Sequence, residues 1–194
     1  NFIDDERHGF EVEKLDSAGW LFQVNLFVKG APVIYASAPS AETVAQLRGS
    51  IGKILEWADC KQVVSLVEHP FWSETAAVVP NSRLVYDCID HHEGFENNDN
   101  SLLHLEKLLL KNAELTVTTS LWLYDAVTPH ARQRVLIRNA GDYPHFSKRP
   151  KNIYRDPQGR QIIGYYGAIA EWFDTDLVAA LAEQLKQCCI VLIG

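Results

Sequence analysis

The chain has no methionine, and its 194 residues include only four cysteines. Cys60, Cys88, Cys188 and Cys189 contain no Cys-x-x-Cys pair and are too sparse for a disulfide framework. They read as reduced thiols, with Cys88 a small hydrophobe inside an apolar run. Positive charge is also scarce. The 18 Lys and Arg stand against 25 Asp and Glu, a net charge of -7, and no basic run offsets it. A polyanion would meet repulsion, which argues against nucleic acid as a partner. No uninterrupted apolar stretch is long enough to span a bilayer, and no basic-then-apolar leader opens the chain. The dinucleotide fingerprint, the phosphate loop of NTPases and the nucleophile elbow of hydrolases are all missing. The five tryptophans follow no period, so no aromatic stacking platform is indicated. There is no initiator Met, and the last residues form an apolar run closed by Gly194. Both ends read as cut, so the chain is expected to be a piece of a longer protein.

What is present is the balance of a globular chain, 47% hydrophobic and 22% charged. The length suits one large domain or one domain plus part of another. The segment before Trp20 is charged and reads as irregular. Residues 21–28 and 32–36 read as short strands with a turn at Gly30. Ser40 is placed to cap a helix whose Val44, Leu47, Ile51, Ile54, Leu55 and Ala58 share one face. Residues 62–67 and 83–89 are β-branched and apolar, and read as strands. Between the latter and the strand at 115–118, residues 101–112 predict an amphipathic helix with Leu102, Leu105, Leu108 and Leu109 inward. Thr119 or Ser120 caps the next helix, and residues 135–137 form a further strand. Strands alternating with helices imply βαβ units and a mostly parallel sheet with helices on both faces.

Residues 139–159 are rich in Asn, Gly, Asp, Pro and Lys and read as a linker. Beyond it, a strand at 161–166, a helix capped by Asp174 and a strand at 189–193 make one βαβ unit. The expected organisation is a parallel-sheet domain over residues 1–145 and the incomplete start of a second over 146–194. A lone βαβ unit leaves edges open, so pairing between copies of the chain is one way to complete it.

Ligands of open parallel sheets bind at the carboxyl ends of the strands. Four polar turns fall there. Asp90-His91-His92-Glu93 is the densest titratable cluster in the chain. It reads as an acid/base or sugar-handling loop, a metal site, or a solvated loop in which Asp90 caps backbone amides. No metal-ligand spacing supports the second of these. His69, before Pro70, reads as a ligand contact or as part of a rigid turn that buries Phe71 and Trp72. Gly167-Ala168-Ile169 lies between a strand and a helix and could offer amides to phosphate, although Glu171, Asp174 and Asp176 crowd the helix start. Asn139 and Asp142 flank the fourth turn.

Taken together, Leu84-Val-Tyr-Asp-Cys-Ile-Asp90, Leu105-Glu106, Asn112-Ala-Glu114, Thr118-Thr-Ser-Leu-Trp-Leu-Tyr124, Ile137-Arg-Asn-Ala-Gly-Asp142, Ile163-Gly-Tyr-Tyr-Gly-Ala-Ile169 and Val191-Leu-Ile-Gly194 form a pattern. It resembles the family 4 type glycosyltransferases of the GT-B fold, in particular their teichuronic-acid-biosynthesis-like group. The resemblance implies an α/β architecture of two Rossmann-like domains with a cleft between them. It implies a nucleotide-sugar donor, a glycan or lipid-linked acceptor, no metal and no other cofactor. The setting it implies is cell-envelope or polysaccharide synthesis, in the cytoplasm or peripheral at the inner face of the membrane. Asp90, and after it His91, would face the transferred sugar. Gly167, Ala168 and Ile169 would approach the donor diphosphate. His69, His92 and Glu93 would line the acceptor side of the cleft, and Asn139 and Asp142 the hinge. The hinge glycine sits one position away from the family pattern. The cations that grip the diphosphate would lie beyond Gly194, so this piece is expected to be inactive alone. A non-catalytic glycan- or partner-binding module and a nucleotide-sugar epimerase of the same fold are the alternatives.

Overall fold

The computed structural model describes residues 9–30, 32–170 and 172–194. The charged opening residues Asp4 to His8, and Glu171, lie outside them. The chain divides into two compact units, the first ending at Ala140 and the second starting at Gly141.

The first unit opens with an antiparallel hairpin of β1 (Phe10–Lys14) and β2 (Phe22–Leu26), in register Phe10↔Leu26 through Lys14↔Phe22. Within the segment before Trp20, read as irregular, residues 10–14 are therefore a strand. Its charges alternate with Phe10 and Val12, the period-two pattern of a half-buried strand. The Asp16 carboxylate closes the connection by accepting from the amides of Gly19, Trp20 and Leu21. Residues 32–36 are a turn, not a strand. Pro32 lacks an amide donor, and among the described residues no strand pairs with the segment.

Helix α1 (Ala41–Trp57) starts where Ser40 accepts a hydrogen bond from the Thr43 amide. The chain then runs through β3 (Val63–Val67), a 3-10 turn (Pro70–Trp72), α2 (Ser73–Ala76), β4 (Ser82–Cys88), α3 (Asn100–Asn112), β5 (Leu115–Thr118), α4 (Leu121–Val127) and β6 (Arg134–Leu136). The four strands form one parallel sheet in strict chain order, β3-β4-β5-β6. This is an α/β fold compatible with the Rossmann-like class. Ser120, rather than Thr119, caps α4 through the Leu123 amide.

Strict order has a consequence for coverage. Crossovers of one hand deliver every connecting helix to the same face. Leu84, Tyr86 and Cys88 of β4 point to that face, where Leu109 and Leu110 of α3 and Leu123 and Val127 of α4 close over them. The opposite face leaves Val64 and Leu66 of β3 67% and 58% exposed. The expectation of helices on both faces is corrected accordingly. On α3 the inward stripe is Leu102, Leu105, Leu109 and Leu110, and Leu108 faces outward. Burying a leucine fully stabilises by roughly 1.5–3 kcal/mol, so Leu109 and Leu110 hold α3 on the sheet while Leu102 holds it to Leu47 and Phe71.

The second unit contains α5 (Tyr143–Phe146), β7 (Gln161–Tyr166), α6 (Thr175–Gln184) and β8 (Cys188–Ile193). β7 and β8 pair in parallel from Gln161↔Cys188 to Tyr166↔Ile193, completing the expected βαβ unit. Among its described residues no apolar side chain is buried, and the buried residue is instead Asp156. Asp156 accepts from the Gln158 and Arg160 amides and from the Arg160 guanidinium at 3.0 and 2.9 Å. That guanidinium holds the Asp156 carboxyl far below the usual carboxylate range.

Candidate functional site

The carboxyl end of β4 carries the densest chemistry. After Cys88 the chain turns out through Asp90 and His91, then tucks back through a short 3-10 turn at His92–Gly94. A hollow of about 150 Å³ opens there, lined by Asp90, His91, Glu93, Glu106, Lys107 and Leu123 among others. The Asp90 carboxylate makes no hydrogen bond or ion pair among the described residues, so both its oxygens can accept. The His91 ring stands edge-on to Trp122 of α4, centroids 4.4 Å apart, and its Nε2 lies 3.9 Å from Glu93 Oε2. Three of the four residues of the sequence cluster thus come together around one hollow.

The fourth goes elsewhere. His92 is 1% exposed and points into the fold. Its Nδ1 lies 2.9 Å from Glu106 Oε1 on α3, and the Tyr86 hydroxyl donates to the same oxygen at 2.7 Å. Burial, with the Glu106 charge behind it, holds the Tyr86 phenol well above its ordinary range. Burial also pushes the Cys88 thiol up to about 12, so Cys88 stays a thiol and offers no nucleophile.

His69, at the end of β3, is also buried. Its Nδ1 accepts the Phe71 amide at 3.2 Å, which caps the 3-10 turn. Its ring lies edge-on to His92 at 4.9 Å and to Tyr35 at 4.5 Å. Burial, and after it the neighbouring His92, brings the His69 imidazole down to about 4, so it is neutral at physiological pH. The rigid-turn reading describes this residue: Phe71 is 2% exposed and Trp72 is partly buried. His69 lines a separate apolar groove of about 570 Å³ beside β3, with Tyr35, Ile51, Leu55 and Trp72. It does not line the Asp90 hollow.

In the second unit the Gly167 amide is taken by the Ile193 carbonyl at 3.0 Å, extending the β7–β8 ladder. The Tyr165 hydroxyl donates to the Ala168 carbonyl at 2.8 Å. A Cβ at Gly167 would come within 2.9 Å of that hydroxyl, so the turn needs glycine here. Of the three residues assigned to phosphate, Gly167 therefore has no amide to give. Asp174 caps α6 through the Leu177 amide at 2.8 Å. Asn139 is exposed, and Asp142 accepts from the His145 amide at 3.0 Å.

In the sequence Glu106 and Tyr86 stand only as parts of a pattern, with no role attached. A signal was available for Glu106. It sits beside Leu102, Leu105, Leu109 and Leu110 at helical spacing, so an acid on that side of α3 needs a polar partner from the sheet. Among the described residues, no group of three or more His, Cys, Asp and Glu is arranged to hold a metal, and no helix is long and apolar enough to cross a membrane. No protein-family model, curated protein or solved structure matches the chain.

Proposed function

We propose that the chain is part of a glycosyltransferase of the GT-B type, which moves a sugar from a nucleotide-sugar to a glycan or lipid-linked acceptor. The observation that carries this reading is the hollow at the end of β4. At about 150 Å³ it has room for a single six-membered ring. Its wall combines a carboxylate with open acceptor capacity, two further carboxylates and an imidazole set edge-on against Trp122. Hydroxyl groups are recognised by just such acceptors and donors set on a partly apolar surface. Its place at the carboxyl end of a parallel strand is where sheets of this kind bind ligands.

In the transfer itself, the bond from the anomeric carbon to the diphosphate oxygen breaks. A bond to the acceptor oxygen forms, and the acceptor's proton leaves with the diphosphate. Asp90 is the residue that faces the transferred sugar and holds its hydroxyls, with His91 second. The leaving diphosphate carries developing negative charge, which backbone amides and positive groups would stabilise.

The test is turnover of the complete protein with a panel of nucleotide-sugars. Asp90→Asn is expected to lower turnover while nucleotide affinity, read by calorimetric titration, is nearly unchanged. Undiminished turnover would remove the assignment. Glycoside binding without any turnover would favour a non-catalytic binding module instead.

A further inference from the structure

The turn that presents Asp90 and His91 is held from beneath. Asn98 Nδ2 donates to the His92 carbonyl at 2.9 Å, the Gly94 amide to the His91 carbonyl at 2.9 Å, and the Asp99 amide to the Ala36 carbonyl at 2.8 Å. These bonds shape the turn, and Thr119 Oγ1 donating to the Ile89 carbonyl at 3.3 Å and Cys88 Sγ to the Asp90 carbonyl at 3.7 Å tie its first residues to the strand ends. The buried side chain that ties its far half to the fold is His92, and what His92 reaches is one carboxylate oxygen shared with Tyr86. Glu106 is only 16% exposed at its side chain, yet it also lines the hollow. It therefore stands between the buried rings and whatever occupies the site.

We propose that Glu106 is a positioning residue, which clamps the His92 Nδ1–H and the Tyr86 hydroxyl on one oxygen and thereby sets the direction in which Asp90 and His91 are presented. The proposal rests on the transferase reading for what the turn is presented to, and on the geometry alone for the clamp.

The clamp has a chemical signature. A carboxylate accepts only, so the proton of a neutral His92 ring lies on Nδ1 and its Nε2 is bare. His69 is the reverse. Its Nδ1 accepts the Phe71 amide, so its proton lies on Nε2. Both Nε2 atoms are buried and find no partner. Two rings 4.9 Å apart are thus held in opposite tautomers by different parts of the fold.

Long-range proton–nitrogen NMR of the histidine-labelled chain reads this directly. The native protein is expected to show the Nδ1–H form for His92 and the Nε2–H form for His69. In Glu106→Ala the His92 ring should sample both forms. Amide hydrogen exchange over residues 91–98 should rise about tenfold or more, the loss of one charge-assisted hydrogen bond. The amides of β4 and α3 should change far less. Glu106→Gln, whose carbonyl oxygen can accept both donors, should bring loop exchange back towards the native rate. Should Glu106→Ala not fold, Tyr86→Phe provides the second arm. It leaves the His92–Glu106 contact in place and should preserve the Nδ1–H form. Native ring signals and native loop exchange in Glu106→Ala would overturn the proposal. So would loosening of β4 and α3 as large as that of the loop, or a His92 proton on Nε2 in the native protein. None of these readouts depends on sugar transfer, so a failed transferase reading leaves the clamp standing and the reverse is equally visible.

Discussion

At the carboxyl end of β4 a turn is anchored from inside by His92, Glu106 and Tyr86, three side chains drawn from the turn, a helix and a strand. At the carboxyl end of β7 the turn at Gly167 is held by its own neighbours, through the Ile193 carbonyl and the Tyr165 hydroxyl. Both follow a parallel strand and both precede a helix. The first has a packed apolar layer behind it and a hollow in front. Among the described residues of the second unit, no apolar side chain is buried. A strand end in a parallel sheet is therefore only a place where a site can be built. What builds it is a layer of buried side chains stiff enough to aim the polar ones.

The sharpest way to break this contrast is core truncation. Leu109 is 0% exposed, and Leu109→Ala is expected to destabilise the first unit by about 2–5 kcal/mol in chemical denaturation. Leu181→Ala, on a residue 36% exposed in α6, should lower stability by under about 1 kcal/mol. Equal effects would show that the second unit has a core of its own.

Acid separates the two units next. The folded His69 imidazole lies at about 4, below its value near 6.5 in the unfolded chain. The unfolded state binds more protons between those values, so stability falls as pH drops from about 6.5 to about 4. His69→Asn, which can still accept the Phe71 amide, should flatten that slope. The second unit should behave differently. The Asp156 carboxyl is depressed by Arg160, so its contribution is present above the ordinary carboxylate range and is lost only as pH falls below it. Residue-resolved hydrogen exchange between pH 4 and 7 should therefore loosen the first unit while the Asp156–Arg160 bonds persist. A smaller sharpening comes from the helix caps. Ser120→Ala should lower the stability of the first unit by about 1 kcal/mol, read as a shift in denaturation midpoint.

The sequence showed much of this layout and little of its interior. The caps at Ser40 and Asp174, a cap at Thr119 or Ser120, and every strand of the parallel sheet follow from local pattern. So does the βαβ unit after the linker. β1 was hidden because Glu11, Glu13 and Lys14 mask an alternation only five residues long. Residues 32–36 misled because apolar content alone does not supply a partner strand. The inward stripe of α3 was displaced by one residue, Leu110 for Leu108, because four leucines in seven positions leave the phase of a helix ambiguous until the sheet selects a face. The polar cluster after β4 was visible, but its division was not. Nothing in Asp90-His91-His92-Glu93 tells which histidine turns inward. That choice is made by Glu106 and Tyr86, which are 14 and 6 residues away along the chain.

The claim at the centre of this account is that the hollow beside Asp90 receives a sugar. Titrating the isotopically labelled chain with a methyl hexopyranoside, followed by amide chemical shifts, tests it most directly. The account predicts saturable shifts confined to Asp90–Glu93, Glu106, Lys107 and the start of α4, and their loss in Asp90→Asn. Saturable shifts that map to the groove beside β3, or no shifts at millimolar glycoside, would contradict it.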